Sequence, residues 1–282
     1  MEEEKFSRTA YRVAMRRASH QLLDDPKVFD DPLALRVLGP KAIAELQSDS
    51  REDSHTSRAL RAFLVARSRF AEDELAAAVE RGIRQSVILG AGLDTSAFRA
   101  PHADRGLRIF EVDHPATQAW KRERLAAGEI SVPATLTFVP ADFERQDLAA
   151  ELSRAGFQWK ATFFSWLGVT PYLSREVFDG TLAWIASLPA PSAVVFDYAV
   201  DPSSLDRDEQ AVLRALAARV ESAGEPFRLF FVPSELAGDL EGMGFSHVET
   251  LARDQMNARY FEDRRGGLRI SGGLAQLVSA RR

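Results

Sequence analysis

The sequence predicts an α/β fold, a mostly parallel sheet flanked by helices, and three observations predict it. Residues 85–113 read as a buried strand, a glycine turn and a second strand, the first βαβ unit of a nucleoside-binding sheet. Strand-length apolar runs then recur at 135–139, 160–165 and 193–196, each after a stretch with helical periodicity. Two late strands, about 245–251 and 273–279, follow the alternating pattern and point to a hairpin at one edge of the sheet.

Taken in order, residues 7–23 place Ala10, Val13, Ala14, Ala18 and Leu22 at helical spacing. Asp31-Pro32 opens a short helix through Leu38, stopped by Gly39-Pro40, and 41–53 read as polar with a mobile loop. A long helix is expected from Thr56 to Val79. At ~100° per residue its apolar stripe gathers Leu60, Phe63, Leu64, Phe70, Ala71, Leu75 and Ala78. Arg67 falls inside that stripe, whereas Arg61 and Arg69 point away from it. A guanidinium on a buried face requires an anionic partner. That partner is either an internal Asp or Glu or the carboxylate of a ligand held in a bidentate pair.

Val87, Ile88 and Leu89 form the first strand, and Gly90, Ala91 and Gly92 make the turn, with room for a ligand against the main chain. The second strand, Leu107 to Val112, ends on Asp113, where such folds place the acid that grips a ribose. His114-Pro115 then starts a helix that Gly128 ends. Asp142 and Phe143 follow the third strand, where an adenine would lie: the carboxylate accepting from the exocyclic amine, the Phe143 N–H donating to a ring nitrogen. Asp142 reads equally well as the N-cap of a helix over 144–155. The fourth strand ends at Ser165, before the loop Trp166 to Leu173. Ser174 caps a helix through Leu188, the fifth strand finishes at Asp197-Tyr198, and helices are expected over 206–223 and 234–243.

The glycine turn also discriminates between nucleosides. A dinucleotide site wants a third glycine where this chain has Thr95, and Asp94 would repel a diphosphate at the helix start. S-adenosyl-L-methionine has no phosphate and carries a sulfonium and an ammonium, so the same carboxylate suits it.

Composition narrows the remaining classes. The chain has 282 residues, 45% hydrophobic and 27% charged, with a formal charge of -5 and acids and bases intermixed. That is ordinary globular composition for one large domain, without the basic face that nucleic acid requires. The absence of cysteine excludes thiol catalysis, disulfides and cysteine-ligated zinc, and no metal site is assigned. No apolar run approaches the ~20 residues of a membrane span. The acidic start, Met-Glu-Glu-Glu-Lys, lacks a signal-peptide core, so a cytoplasmic protein is expected.

Several motifs together resemble the bacterial class I S-adenosylmethionine-dependent methyltransferases related to leucine carboxyl methyltransferase. They are Thr9-Ala10 with Arg17-Ala18, Asp31-Pro32-Leu33-Ala34, and Ala66-Arg67-Ser68-Arg69-Phe70. Further on stand Gly90-Ala91-Gly92-Leu93-Asp94-Thr95, Glu111-Val112-Asp113-His114-Pro115 with Lys121-Arg122, and Gly168-Val169-Thr170-Pro171-Tyr172-Leu173. The resemblance covers nearly the whole chain. It implies a Rossmann-like sheet of seven strands with a reversed last strand, in a single domain. Residues 1–53 would form a helical cap, and 54–282 the cofactor-binding core, with a substrate-covering insert near 200–245.

For the cofactor the resemblance implies Arg67 on the carboxylate, Gly90 and Gly92 by the methionine part, Asp113 on the ribose, and Asp142 with Phe143 at the adenine; Ala91 and His114 are counted among the cofactor-binding residues as well. Many relatives carry Glu immediately before the Gly-Val-Thr-Pro-Tyr-Leu run, at the cofactor's ammonium; here that residue is Leu167. The ammonium then falls to carbonyls near Gly90 and Ser165, or to Asp94.

Methyl transfer from a sulfonium needs mainly alignment and exclusion of water, a proximity effect of ~7–11 kcal/mol. A carboxylate acceptor requires no base; a phenol, with a pKa of ~10, benefits from one. His114, Tyr172 and Tyr198 are the candidate bases. The leading expectation is an O-methyltransferase acting on a carboxylate or hydroxyl of a small-molecule methyl acceptor, its oligomeric state open. A nicotinamide-dependent oxidoreductase and a non-catalytic cofactor-binding protein on the same scaffold are the alternatives.

Overall fold

The computed structural model describes residues 7–48, 54–99, 102–142, 145–222, 224–262 and 266–282. Seven strands form one sheet in the order β3-β2-β1-β4-β5-β7-β6. They are β1 (Gln85–Leu89), β2 (Arg108–Asp113), β3 (Leu136–Pro140), β4 (Phe163–Trp166), β5 (Ala193–Ala199), β6 (His247–Leu251) and β7 (Ala275–Arg281). The first five run parallel, and β7 lies antiparallel between β5 and β6. The chain reverses direction across the sheet at β1, so the carboxyl ends of β1 and β4 diverge there and leave a crevice for a ligand.

Strand alternation sends side chains to two apolar layers. Val87, Leu89, Phe110, Val112, Val194 and Phe196 face one layer with Leu152, Phe178, Leu182, Leu236 and Leu240. These come from helices α7 (Leu148–Arg154), α8 (Arg175–Ser187) and α10 (Pro233–Gly242). Ile109, Phe163, Val195 and Leu277 face the other layer. It is covered by Val65, Ala66, Phe70 and Leu75 of α4 (His55–Glu80) and by Met256 and Tyr260 of α11 (Arg253–Tyr260).

A third cluster joins α1 (Arg8–Leu23), α2 (Ala34–Leu38) and α3 (Pro40–Ser48) to Leu125 of α6 (Pro115–Ala127). The four-residue α5 (Ser96–Arg99) follows the glycine turn, and α9 (Arg207–Glu221) begins on a capping box from Asp206 and Glu209. Among the described residues, no helix is long and apolar enough to cross a membrane.

Four local expectations are corrected. Gly39 closes α2 with φ +81°, but Pro40 opens α3 rather than a loop, because proline is suited to a first helical position; residues 49–53 lie outside the described set. Arg61 is buried, not outward-facing, since the end of α1 packs on that flank and Asp24 meets it at 2.7 and 3.0 Å. The helix after β3 begins at Leu148, capped by Asp147, which removes the capping role from Asp142. Helix α11 separates β6 from β7, so the two late strands pair without a tight hairpin turn.

Candidate active site

A cavity of about 510 Å³ opens at the carboxyl ends of the parallel strands. Its floor is the turn after β1. Gly90 has φ +66°, and a Cβ there would lie 2.2 Å from Val169 Cγ2. Gly92 has φ +47°, with Ala10 of α1 3.0 Å from where a Cβ would sit. Glycine is therefore required twice, for backbone conformation and for space.

Asp113, at the end of β2, faces this turn. Its carboxylate accepts from the Gly92 amide and, at 2.7 Å, from the His114 amide. Burial pushes the Asp113 carboxyl above its usual range, against the pull of these two amides. His114 caps α6, its Nδ1 accepting from the Ala116 N–H at 3.3 Å. Both residues line the cavity, as does Asp142 after β3. Phe143 lies outside the described residues.

Asp94 also lines the cavity but is committed elsewhere. One oxygen accepts from the Ser96 amide at 2.7 Å, and the other lies 3.3 Å from Arg17 Nη1. Burial opposes its ionisation, but Arg17, Lys121 and the Ser96 bonds prevail and hold its carboxyl below the ordinary range. Arg17 in turn pairs with the fully buried Asp31, and Thr95 Oγ1 donates to that same carboxylate. Asp94, expected from the sequence to repel a diphosphate, is thus a bolt between the glycine turn and the N-terminal helices.

Arg67 of α4 is buried and aimed at the cavity. Its Nη1 lies 2.7 Å from Asp197 Oδ2 at the end of β5, so the internal partner exists. Its Nε is buried without a hydrogen-bond partner among the described residues. Ser165 and Leu167 line the same wall.

The three candidate bases part company. Tyr172 lines the cavity, and burial pushes its phenol up to about 12, so it stays protonated at neutral pH. His114 lines it too, with Nδ1 spent on the helix cap. Tyr198 does not: β5 alternation turns it into the core, 1% exposed, donating to Gln276 Oε1 at 2.8 Å.

The contact that joins the N-terminal helix to the stretch near 225 was not foreseen. Ser7 Oγ donates to Glu225 Oε1 at 2.7 Å, and the Thr9 amide donates to Oε2 at 3.0 Å, joined by the Thr9 hydroxyl. Glu225, Pro226 and Arg228 line the cavity together with Ser7, Thr9 and Val13. No sequence signal linked positions 7–9 to 225, which lie more than two hundred residues apart and carry no shared pattern.

The profile of the leucine carboxyl methyltransferase family matches residues 10–186. A Bacillus subtilis (strain 168) protein named "Putative S-adenosyl-L-methionine-dependent methyltransferase YktD" is 31% identical over 290 residues, 95% of each chain. A protein of Mycobacteroides abscessus bearing the same description is 30% identical over 270 residues, 89% of this chain and 86% of its own. Among solved structures, one from Thermobifida fusca YX, described as a putative methyltransferase, aligns with a TM-score of 0.57 over 95% of this chain and 94% of its own. At 17% identity that likeness speaks for the fold alone. Motifs, strand order and this near full-length similarity agree, and the chain belongs to the leucine carboxyl methyltransferase family of S-adenosylmethionine-dependent methyltransferases.

Proposed function

We propose that the protein transfers a methyl group to an oxygen of a small molecule, a carboxylate in preference to a hydroxyl. The observation that carries this reading is the cavity wall, which gathers Arg67, Asp113 and Asp142 at the strand ends, while among the described residues Tyr172 stays protonated, His114 Nδ1 caps α6 and both Glu225 oxygens accept from Ser7 and Thr9. Asp113 retains lone pairs for ribose hydroxyls, since each carboxylate oxygen accepts only one bond from the described residues. Asp142 suits the adenine amine. Arg67 brings a cation to the cavity wall at the amino-acid end, and Gly90 and Gly168, lacking Cβ atoms, let Val169 and the Arg67 guanidinium pack directly against the backbone there. The donor set therefore fits the cofactor.

When bound, S-adenosylmethionine supplies a methyl group activated on a sulfonium sulfur. The residues of the chain then orient and enclose. Tyr172, protonated, donates rather than accepts a proton at an acceptor oxygen. Glu225 spends both oxygens on Ser7 and Thr9, closing the roof against water. No catalytic base is assigned, and a carboxylate acceptor needs none. The volume lies within the ~300–1,000 Å³ of small-molecule sites, which favours a small acceptor over a polypeptide tail. In this reading α1, packed on α2 and α3, serves as the cap, and Glu225, Pro226 and Arg228 from the stretch near 200–245 add cover.

Turnover with labelled cofactor against paired libraries of carboxylic acids and hydroxylated compounds tests this. Release of S-adenosylhomocysteine with acids, and base-labile methyl ester products, is the expected result. Methylation confined to nitrogen or carbon acceptors would overturn it.

A further inference from the structure

Asp197 has no role in the cofactor contacts given above and does not line the cavity, yet it holds both walls of its amino-acid end. Its Oδ2 takes Arg67 Nη1 at 2.7 Å, its Oδ1 accepts from the Gly168 amide at 2.6 Å, and its backbone carbonyl accepts from Thr170 Oγ1 at 2.5 Å. All three partners differ in origin from β5: Arg67 belongs to α4, and Gly168 and Thr170 to the loop after β4. Gly168 sits at φ +71°, and Arg67 Nη1 comes within 2.9 Å of where its Cβ would be. A guanidinium and a loop are thus packed against each other and pinned by one buried carboxylate.

The same loop reaches the reacting end of the cavity. Val169 fills the space that Gly90 leaves, and Tyr172, two residues beyond Thr170, lines the cavity near the roof. We infer that Asp197 is a positioning residue that fixes Arg67 for the amino-acid arm of the cofactor and, through the 168–172 loop, sets the wall against which that arm lies. This rests on the cofactor reading above. Among the described residues Arg67 spends its Nη1 on Asp197, which leaves Nη2 of this cavity-lining residue for a ligand carboxylate. A guanidinium held on one side by a fixed anion is pre-organised on the other, which reduces the ordering cost of binding.

The test compares two ligands on two proteins by calorimetry. S-adenosylhomocysteine carries the amino-acid arm, and 5′-methylthioadenosine lacks it. Asp197→Asn keeps the shape and removes the charge. The expected result is an affinity for S-adenosylhomocysteine reduced about tenfold or more, with methylthioadenosine affinity within about twofold of the unaltered protein, because charge-assisted bonds are lost only at the arm. Equal weakening of both ligands would make Asp197 a general brace of the fold and overturn the inference, as would no change in either. If the unaltered protein binds neither ligand, the cofactor reading itself fails, a distinct outcome. Should Asp197→Asn not fold, Asp197→Glu retains the charge, displaces it by one methylene, and must show the same selective loss.

Discussion

Lys121 and Glu111 form a buried ion pair, 2.7 Å from Nζ to Oε2, one turn of α6 below the cavity. Neither side chain exceeds 1% exposure, and the second oxygen of Glu111 has no hydrogen-bond partner among the described residues. Burial outweighs the attraction of Lys121 and raises the Glu111 carboxyl to about 7. A buried pair of this kind contributes little net stability, because desolvation offsets most of its attraction.

The sign of the pH dependence follows. With its folded value raised from the ordinary 4.5, Glu111 binds a proton more firmly in the folded chain than in the unfolded one. Its contribution to stability is full below about pH 4.5 and is lost as pH rises through about 7, at up to ~1.4 kcal/mol per pH unit. Glu111→Gln abolishes that titration. Melting curves between pH 5 and 7.5 should show the unaltered protein losing ground relative to the variant as pH rises. Parallel profiles would mean that Glu111 is ionised throughout.

Arg67→Met should cost the unliganded protein ~3–5 kcal/mol, because it strands Asp197 without its buried partner. Adding Asp197→Asn to that variant removes the stranded charge while leaving an oxygen for the Gly168 amide, and most of the lost stability should return. The rise in melting temperature on adding S-adenosylhomocysteine should stay small in both variants. A double variant as responsive to ligand as the unaltered protein would take Arg67 out of the site.

Gly90→Ala should abolish cofactor binding and destabilise the fold by ~1–3 kcal/mol, from its left-handed backbone and from contact with Val169. Combined with Val169→Ala, the steric part is relieved and the conformational part remains. Thermal melts of the three proteins separate the two: full recovery in the pair would show that backbone strain is negligible at φ +66°.

These contacts also explain what the sequence made legible. The β1 turn, Asp113 and Asp142 stand at strand ends that periodicity locates, and all three line the cavity. Arg67 was recognisable as a buried cation from its place on the α4 stripe, but its partner lies 130 residues away, and helical spacing carries no information about that distance. The same limit applied to Arg61, since only the packing of α1 could bury it, and to Tyr198, whose direction depends on the register of a single strand. Asp94 was read from its place in the turn as a carboxylate facing the cofactor. Its engagement by Arg17 depends on a tertiary contact between α1 and the turn.

The last prediction concerns the roof. Glu225 receives three hydrogen bonds from Ser7 and Thr9, at the start of α1, and all three residues line the cavity. Both cofactor and acceptor must pass an opening somewhere, and a latch of surface-accessible hydroxyls is a cheaper place to open than a packed apolar layer. Thr9→Val removes one hydroxyl without disturbing the apolar underside of α1, and Glu225→Gln keeps the shape but leaves one neutral carbonyl to accept and turns the other oxygen into an NH2 donor. In either variant, amide hydrogen exchange should quicken over the first turns of α1, with protection in β1, β4 and β5 unchanged. Bound S-adenosylhomocysteine should dissociate faster, by about three- to tenfold for the loss of one bond of ~0.5–1.5 kcal/mol. If exchange in α1 stays at the level of the unaltered protein while the ligand leaves at the same rate, the roof is a fixed wall and ligands enter elsewhere.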